Sequence, residues 1–79
     1  MEKSLFTPDH ERLCDLLRQV RRDAGLKQDQ VAKRLKRPQS FVSKYESGER
    51  RLDLVELRRV CQAIGIPLID FVRRFDKRG

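Results

Sequence analysis

No stretch of the 79-residue chain is apolar for the roughly 18 residues that a bilayer crossing needs, and the N-terminus, carrying acidic Glu2 and Asp9, lacks a signal-peptide core. The chain is therefore expected to be neither exported nor anchored. Glycine is scarce, with four residues, and charged and apolar residues are nearly balanced at 39% and 38%, which excludes a disordered tail and favours a compact helical domain. The two cysteines, Cys14 and Cys61, lie far apart beside apolar residues in helical patterns. They read as buried reduced thiols, with a disulfide as the lesser alternative, and fit a cytoplasmic protein.

Chemistry-bearing constellations are also missing. His10 has no cysteine or carboxylate at metal-ligand spacing and reads as a surface residue; Cys14 has no histidine at a persuasive spacing to activate it. Asp53 and Glu56 look like paired acids, yet a helix cap explains them. No P-loop, zinc or nucleotide signature occurs. A chain this short buries only roughly 60 to 65% of its unfolded surface, so a deep catalytic cleft does not fit beside a core. An enzyme is disfavoured, and no cofactor, metal or small-molecule substrate is expected. Met1 fits a complete chain, and residues 1–79 read as one domain.

What is present in excess is positive charge, and its placement matters more than its total of +7. Residues 1–25 hold five basic and five acidic groups, residues 26–51 eight and three, and residues 52–79 six and four. The positive field is therefore concentrated on the middle third, the footprint expected of a nucleic-acid binder.

Periodicity predicts five short helices and no strand. Thr7-Pro8-Asp9 supplies a cap and a first-turn proline, and Leu13, Leu16, Leu17, Val20 and Ala24 form one stripe that Gly25 ends. A second helix spans about Gln28 to Leu35, with Val31, Ala32 and Leu35 inward. A third spans about Pro38 to Ser47, with Val42 and Tyr45 inward and Gly48 as a left-handed stop. Asp53-Leu54-Val55-Glu56 has the form of a capping box opening a fourth helix, whose stripe is Leu54, Leu57, Val60, Cys61 and Ile64 and whose stop is Gly65. Pro67 opens the fifth, in which Leu68, Phe71, Val72 and Phe75 share a face; residues 76–79 are expected to fray.

The third helix carries the functional signal. Its outward positions hold Gln39, Ser40, Ser43 and Lys44, short hydrogen-bonding groups plus one cation, where a merely solvated face is usually rich in Glu, Lys and Arg. Glutamine can make paired hydrogen bonds to adenine N6 and N7, and Lys44 can reach guanine O6 and N7 or a phosphate. Arg37, Arg50 and Arg51 flank this helix and are read as clamps on the sugar-phosphate backbone. Phe41 either packs on the edge of the second helix or lies against a sugar or thymine methyl; the reading adopted places it at the DNA.

Over Leu17 to Val72 the chain resembles the phage Cro/repressor type of helix-turn-helix domain, the xenobiotic-response-element family of bacterial regulators. The matching residues are Arg21, Gly25-Leu26-Lys27-Gln28, Val31-Ala32, Leu35, Ser40 through Gly48, Leu54, Leu57, Ile64 and Gly65. The resemblance implies an all-α, five-helix domain whose third helix enters the major groove of double-stranded DNA. It further implies that Gln28 reaches the DNA, that Gln39, Ser40, Ser43 and Lys44 fall on contact positions, and that Arg21 and Glu46 form a salt bridge between the first and third helices. Two features depart from the family pattern. Lys36 stands where glycine is usual in the turn, a left-handed position costing a non-glycine residue roughly 1 kcal/mol. Lys27, Pro38 and Pro67 stand where a Ser or Thr cap is common.

Ile69, off the main stripe of the fifth helix, together with Val72 and Phe75, exceeds what so small a bundle can cover. A two-fold homodimer through these residues would set two reading helices about 34 Å apart on one side of a palindromic site. The function expected is a sequence-specific transcriptional regulator, a homodimeric repressor, controlled by its own concentration or by a partner protein. The rival is a protein-interaction module, such as an antitoxin or immunity partner, that binds DNA secondarily.

Overall fold

In the computed structural model, residues 7–78 are described, and they form five helices: α1 (Pro8–Asp23), α2 (Gln28–Leu35), α3 (Gln39–Ser47), α4 (Leu54–Ile64) and α5 (Leu68–Arg78). The expectations for residues 1–6 and Gly79 lie outside the described residues. Among the described residues there is no strand, and no helix is long and apolar enough to cross a membrane.

Local chemistry sets the helix ends. Thr7 Oγ1 accepts from His10 N at 3.1 Å with Pro8 at the first helical position, so α1 starts where donors would otherwise be orphaned. α4 opens with a reciprocal box: Glu56 N donates to Asp53 Oδ1 at 2.7 Å and Asp53 N donates to Glu56 Oε1 at 3.0 Å. α2 has no side-chain acceptor at Lys27; instead Gln30 Oε1 reaches back to accept from Lys27 N at 2.8 Å. α3 begins after Pro38 with no side-chain cap, and Phe41 N donates instead to Pro38 O at 3.0 Å. Lys36 adopts the left-handed conformation, φ 60 and ψ 43, closing α2 as the family's glycine would. The turn therefore keeps its shape despite the missing glycine, with Arg37 N donating to Ala32 O at 3.0 Å.

α2 packs on α3 and α4, α1 on α3, and α5 on α4 and α1. Leu17, Val31, Val42, Tyr45, Val60, Cys61 and Phe71 sit where these faces meet and are fully buried. Phe71 thus anchors α5, and its truncation to alanine would cost about 3 to 5 kcal/mol. Both cysteines are buried free thiols, and burial raises the pKa of each, that of Cys61 to about 11.

Four expectations are corrected by packing. Leu54, assigned to the inward stripe of α4, is 68% exposed, because the first turn of that helix overhangs the core rather than facing it. Ala24 is exposed just beyond α1. His10 is buried, since the first turns of α1 lie against the end of α3, and its Nε2 stands 3.7 Å from Cys14 Sγ. α5 does not fray at Asp76 but runs to Arg78.

Candidate nucleic-acid interface

The 3.6-residue period of α3 divides it cleanly. Gln39, Ser40, Ser43 and Lys44 are exposed, while Phe41, Val42, Tyr45 and Glu46 are buried. One open strip therefore carries an amide, two hydroxyls and an ammonium. Among the described residues, Lys44 has no carboxylate within ion-pair distance.

The strip is braced from inside. Arg21 on α1 and Glu46 on α3 form a two-pronged ion pair, Arg21 Nε to Glu46 Oε2 at 2.6 Å and Nη2 to Oε1 at 3.0 Å. Hydrogen bonding to Glu46 raises the Arg21 pKa against the opposing effect of burial. Glu46 Oε1 also accepts from Gln28 Nε2 at 3.0 Å, and Gln28 Oε1 accepts from Gln39 Nε2 at 3.3 Å. A chain of hydrogen bonds thus leads from a buried charge pair to the first outward residue of α3. Arg21 further donates to Leu26 O at 2.9 Å, fixing the α1–α2 corner, and Arg18 Nη2 donates to Glu46 O at 2.9 Å. Arg18 escaped sequence reasoning, although its i, i+3 spacing to Arg21 places both on one face.

Around Phe41 the arrangement differs from expectation. The ring is only 8% exposed and packs edge-on against Tyr45, with centroids 5.5 Å apart. Guanidinium carbons of Arg37 and Arg50 lie 4.5 and 4.8 Å from its centroid. Phe41 is therefore a platform under two arginines rather than a side chain bared toward a sugar or methyl group.

Arg50 is likewise committed. It donates to both carboxylate oxygens of Glu56, at 3.1 and 2.8 Å, and to Arg51 O at 3.1 Å. The Arg50 contact, helped by the Asp53 amide, lowers the Glu56 pKa to about 2. Arg50 thus joins the α3–α4 loop to the start of α4 while its side chain stays 38% exposed. Arg37 and Arg51 are exposed.

On α5, Ile69 and Val72 are 60% and 42% exposed, as anticipated for an unpartnered face. Phe75 is not bare: Arg12 lies 4.7 Å above its ring and donates to its carbonyl, so the chain itself covers part of that side chain. Among the described residues no group of His, Cys, Asp and Glu could hold a metal ion.

A short helix locked against a second by a tight left-handed turn, with its outer strip polar and open, defines a helix-turn-helix reading unit. A helix-turn-helix domain family matches residues 11–71. The XRE-family like protein from Pseudomonas syringae pv. tomato str. DC3000 is 41% identical, with a TM-score of 0.83 over 89% of this chain and 85% of that one. The chain belongs to the XRE family of helix-turn-helix DNA-binding regulators. The wild-type restriction-modification controller protein C.Esp1396I superposes with a TM-score of 0.83 at 15% identity, covering 91% of this chain and 92% of that one. The same controller as a tetramer in complex with its natural 35 base-pair operator gives 0.83 at 15% identity, over 91% and 95% of the two chains. At that identity the likeness concerns the fold alone. No curated protein matches the chain.

Proposed function

We propose that this protein is a cytoplasmic, sequence-specific repressor that binds a palindromic operator as a homodimer and occludes a promoter. The observation that carries the reading is the open Gln39, Ser40, Ser43 and Lys44 strip, held by the Arg21–Glu46–Gln28 bonds at its base. Preorganised short polar groups on a groove-sized helix suit base edges, and none of the four is covered by the rest of the described chain. In this reading Gln39 and Lys44 discriminate bases, and the two serines take bases or phosphates. Gln28 turns from Gln39 toward the backbone, while Arg37 and Arg51 hold phosphates. Phe41 and Arg50 act through the geometry they impose on Arg37 and the α3–α4 loop.

Size supports a pair of chains. The nine-residue reading helix α3, about 14 Å long at roughly 1.5 Å per residue, fills one groove face, so a second copy is needed to read the next, about 34 Å along the duplex. Ile69 and Val72 offer the apolar surface for that contact, with Phe75 at its edge. The controller protein that shares this fold is a tetramer on its operator, and the proposal extends assembly on DNA to this chain.

Selection of bound sequences from a random duplex pool tests the proposal. Enrichment of an inverted repeat with half-sites about one turn, roughly 34 Å, apart supports it. Enrichment of a single half-site removes the dimer, and failure to enrich any motif removes base reading.

A further inference from the structure

We propose that the groove between α2, α4 and the start of α5 docks an acidic, apolar-anchored segment of a partner protein, separately from the DNA-reading strip. The groove is about 850 Å³ and has Arg34, Lys36, Arg58 and Arg59 among its lining residues, with no carboxylate among them. Five arginines outside the groove, Arg12, Arg18, Arg21, Arg50 and Arg74, each have a carboxylate partner. Among the described residues, the four groove cations have none. Arg34 is held in place, since its Nη1 donates to Ala63 O at 2.8 Å and fixes the guanidinium across α2 and the end of α4.

The same groove is apolar where a partner would seat. Leu54 and Val55, on the first turn of α4, are 68% and 64% exposed. Two adjacent aliphatic side chains this open, beside unpaired cations, form an apolar ridge that a partner can cover. A duplex is a poor match, because its phosphates satisfy the cations but offer no apolar ridge to bury Leu54 and Val55. A second copy docked by two-fold symmetry is worse, since it would set each Arg34, Lys36, Arg58 and Arg59 against the same four cations. An amphipathic acidic helix satisfies both features at once, with its apolar anchors on the floor and its carboxylates at the basic rim. None of Gln39, Ser40, Ser43 and Lys44 lines this groove, so a segment docked in it leaves the base-reading strip uncovered.

The test uses the full chain and a synthetic amphipathic helix with leucines at i, i+3, i+4 and i+7 and glutamates between them. Backbone amide shifts should move at Leu54, Val55 and Arg58, with those of Ser43 and Lys44 unchanged. The Arg58→Glu/Arg59→Glu variant should weaken the peptide by at least about tenfold, and Leu54→Ser/Val55→Ser should weaken it similarly without altering Tm, because all four side chains are exposed. The proposal is overturned if a control peptide with serine for leucine binds equally well. It also falls if Arg58→Glu/Arg59→Glu weakens duplex DNA as much as the peptide, or if Leu54→Ser/Val55→Ser turns a dimer into a monomer.

Discussion

Replacing Glu46 by glutamine removes one charge from the most connected polar site in the protein while keeping its volume. Glu46 is 2% exposed and accepts from Arg21 at 2.6 and 3.0 Å and from Gln28 at 3.0 Å. The variant leaves the Arg21 guanidinium buried without a counter-charge, and breaking such a pair from one side costs about 3 to 5 kcal/mol. A domain of 79 residues has roughly 4 to 12 kcal/mol to lose. Each kcal/mol is worth about 4 to 8 °C in a domain this small, so Glu46→Gln should lower Tm by at least about 12 °C. Thermal unfolding by circular dichroism, with urea titration for the free energy, measures it. The double variant Arg21→Met/Glu46→Leu separates the buried charge from the packing: with both ions gone it should recover most of the lost stability, because the desolvation cost disappears with them. A loss below about 1 kcal/mol for Glu46→Gln, or a double variant no more stable than the single, would refute the reasoning.

Among the described residues the buried Tyr45 hydroxyl has no hydrogen-bond partner, and burial raises its pKa, so Tyr45→Phe should be neutral or stabilising by up to about 1 to 3 kcal/mol in urea unfolding. Lys36→Gly should stabilise by about 0.5 to 1 kcal/mol, since it relieves a left-handed lysine at φ 60; a loss of stability would show that the turn is not strained. For Glu56, whose pKa falls from the ordinary 4.5 to about 2 when folded, the ion-pair contribution is fully present above pH 4.5 and is lost as pH drops toward 2. Following the Glu56 carboxyl carbon by NMR should give that low midpoint in the wild type and one returned toward 4.5 in Arg50→Ala.

Helix number, order and most boundaries follow from sequence because caps and periodicity are local: the Asp53–Glu56 box and the left-handed glycines Gly48 and Gly65 can be read without knowing the partner helices. The open strip of α3 was legible for the same reason, as outward positions repeat at fixed spacing. What sequence did not disclose depends on contacts between distant elements. Arg50 sits beside an acid six residues away only because the loop folds back onto the α4 cap, and Phe41 is covered because arginines from both flanks converge on it. Leu54 fits the inward stripe by spacing, yet at 68% exposure it lines the open groove beside α2 and α5 instead of the core. His10 looked solvated for the converse reason, since only the approach of α3 buries it.

The central claim, that α3 distinguishes base pairs, is tested most directly by the affinity of Gln39→Ala for a selected operator and for random duplex at one fixed salt concentration. The account predicts a loss of about 1 to 3 kcal/mol on the operator and little change on random sequence. Equal losses on both would contradict it.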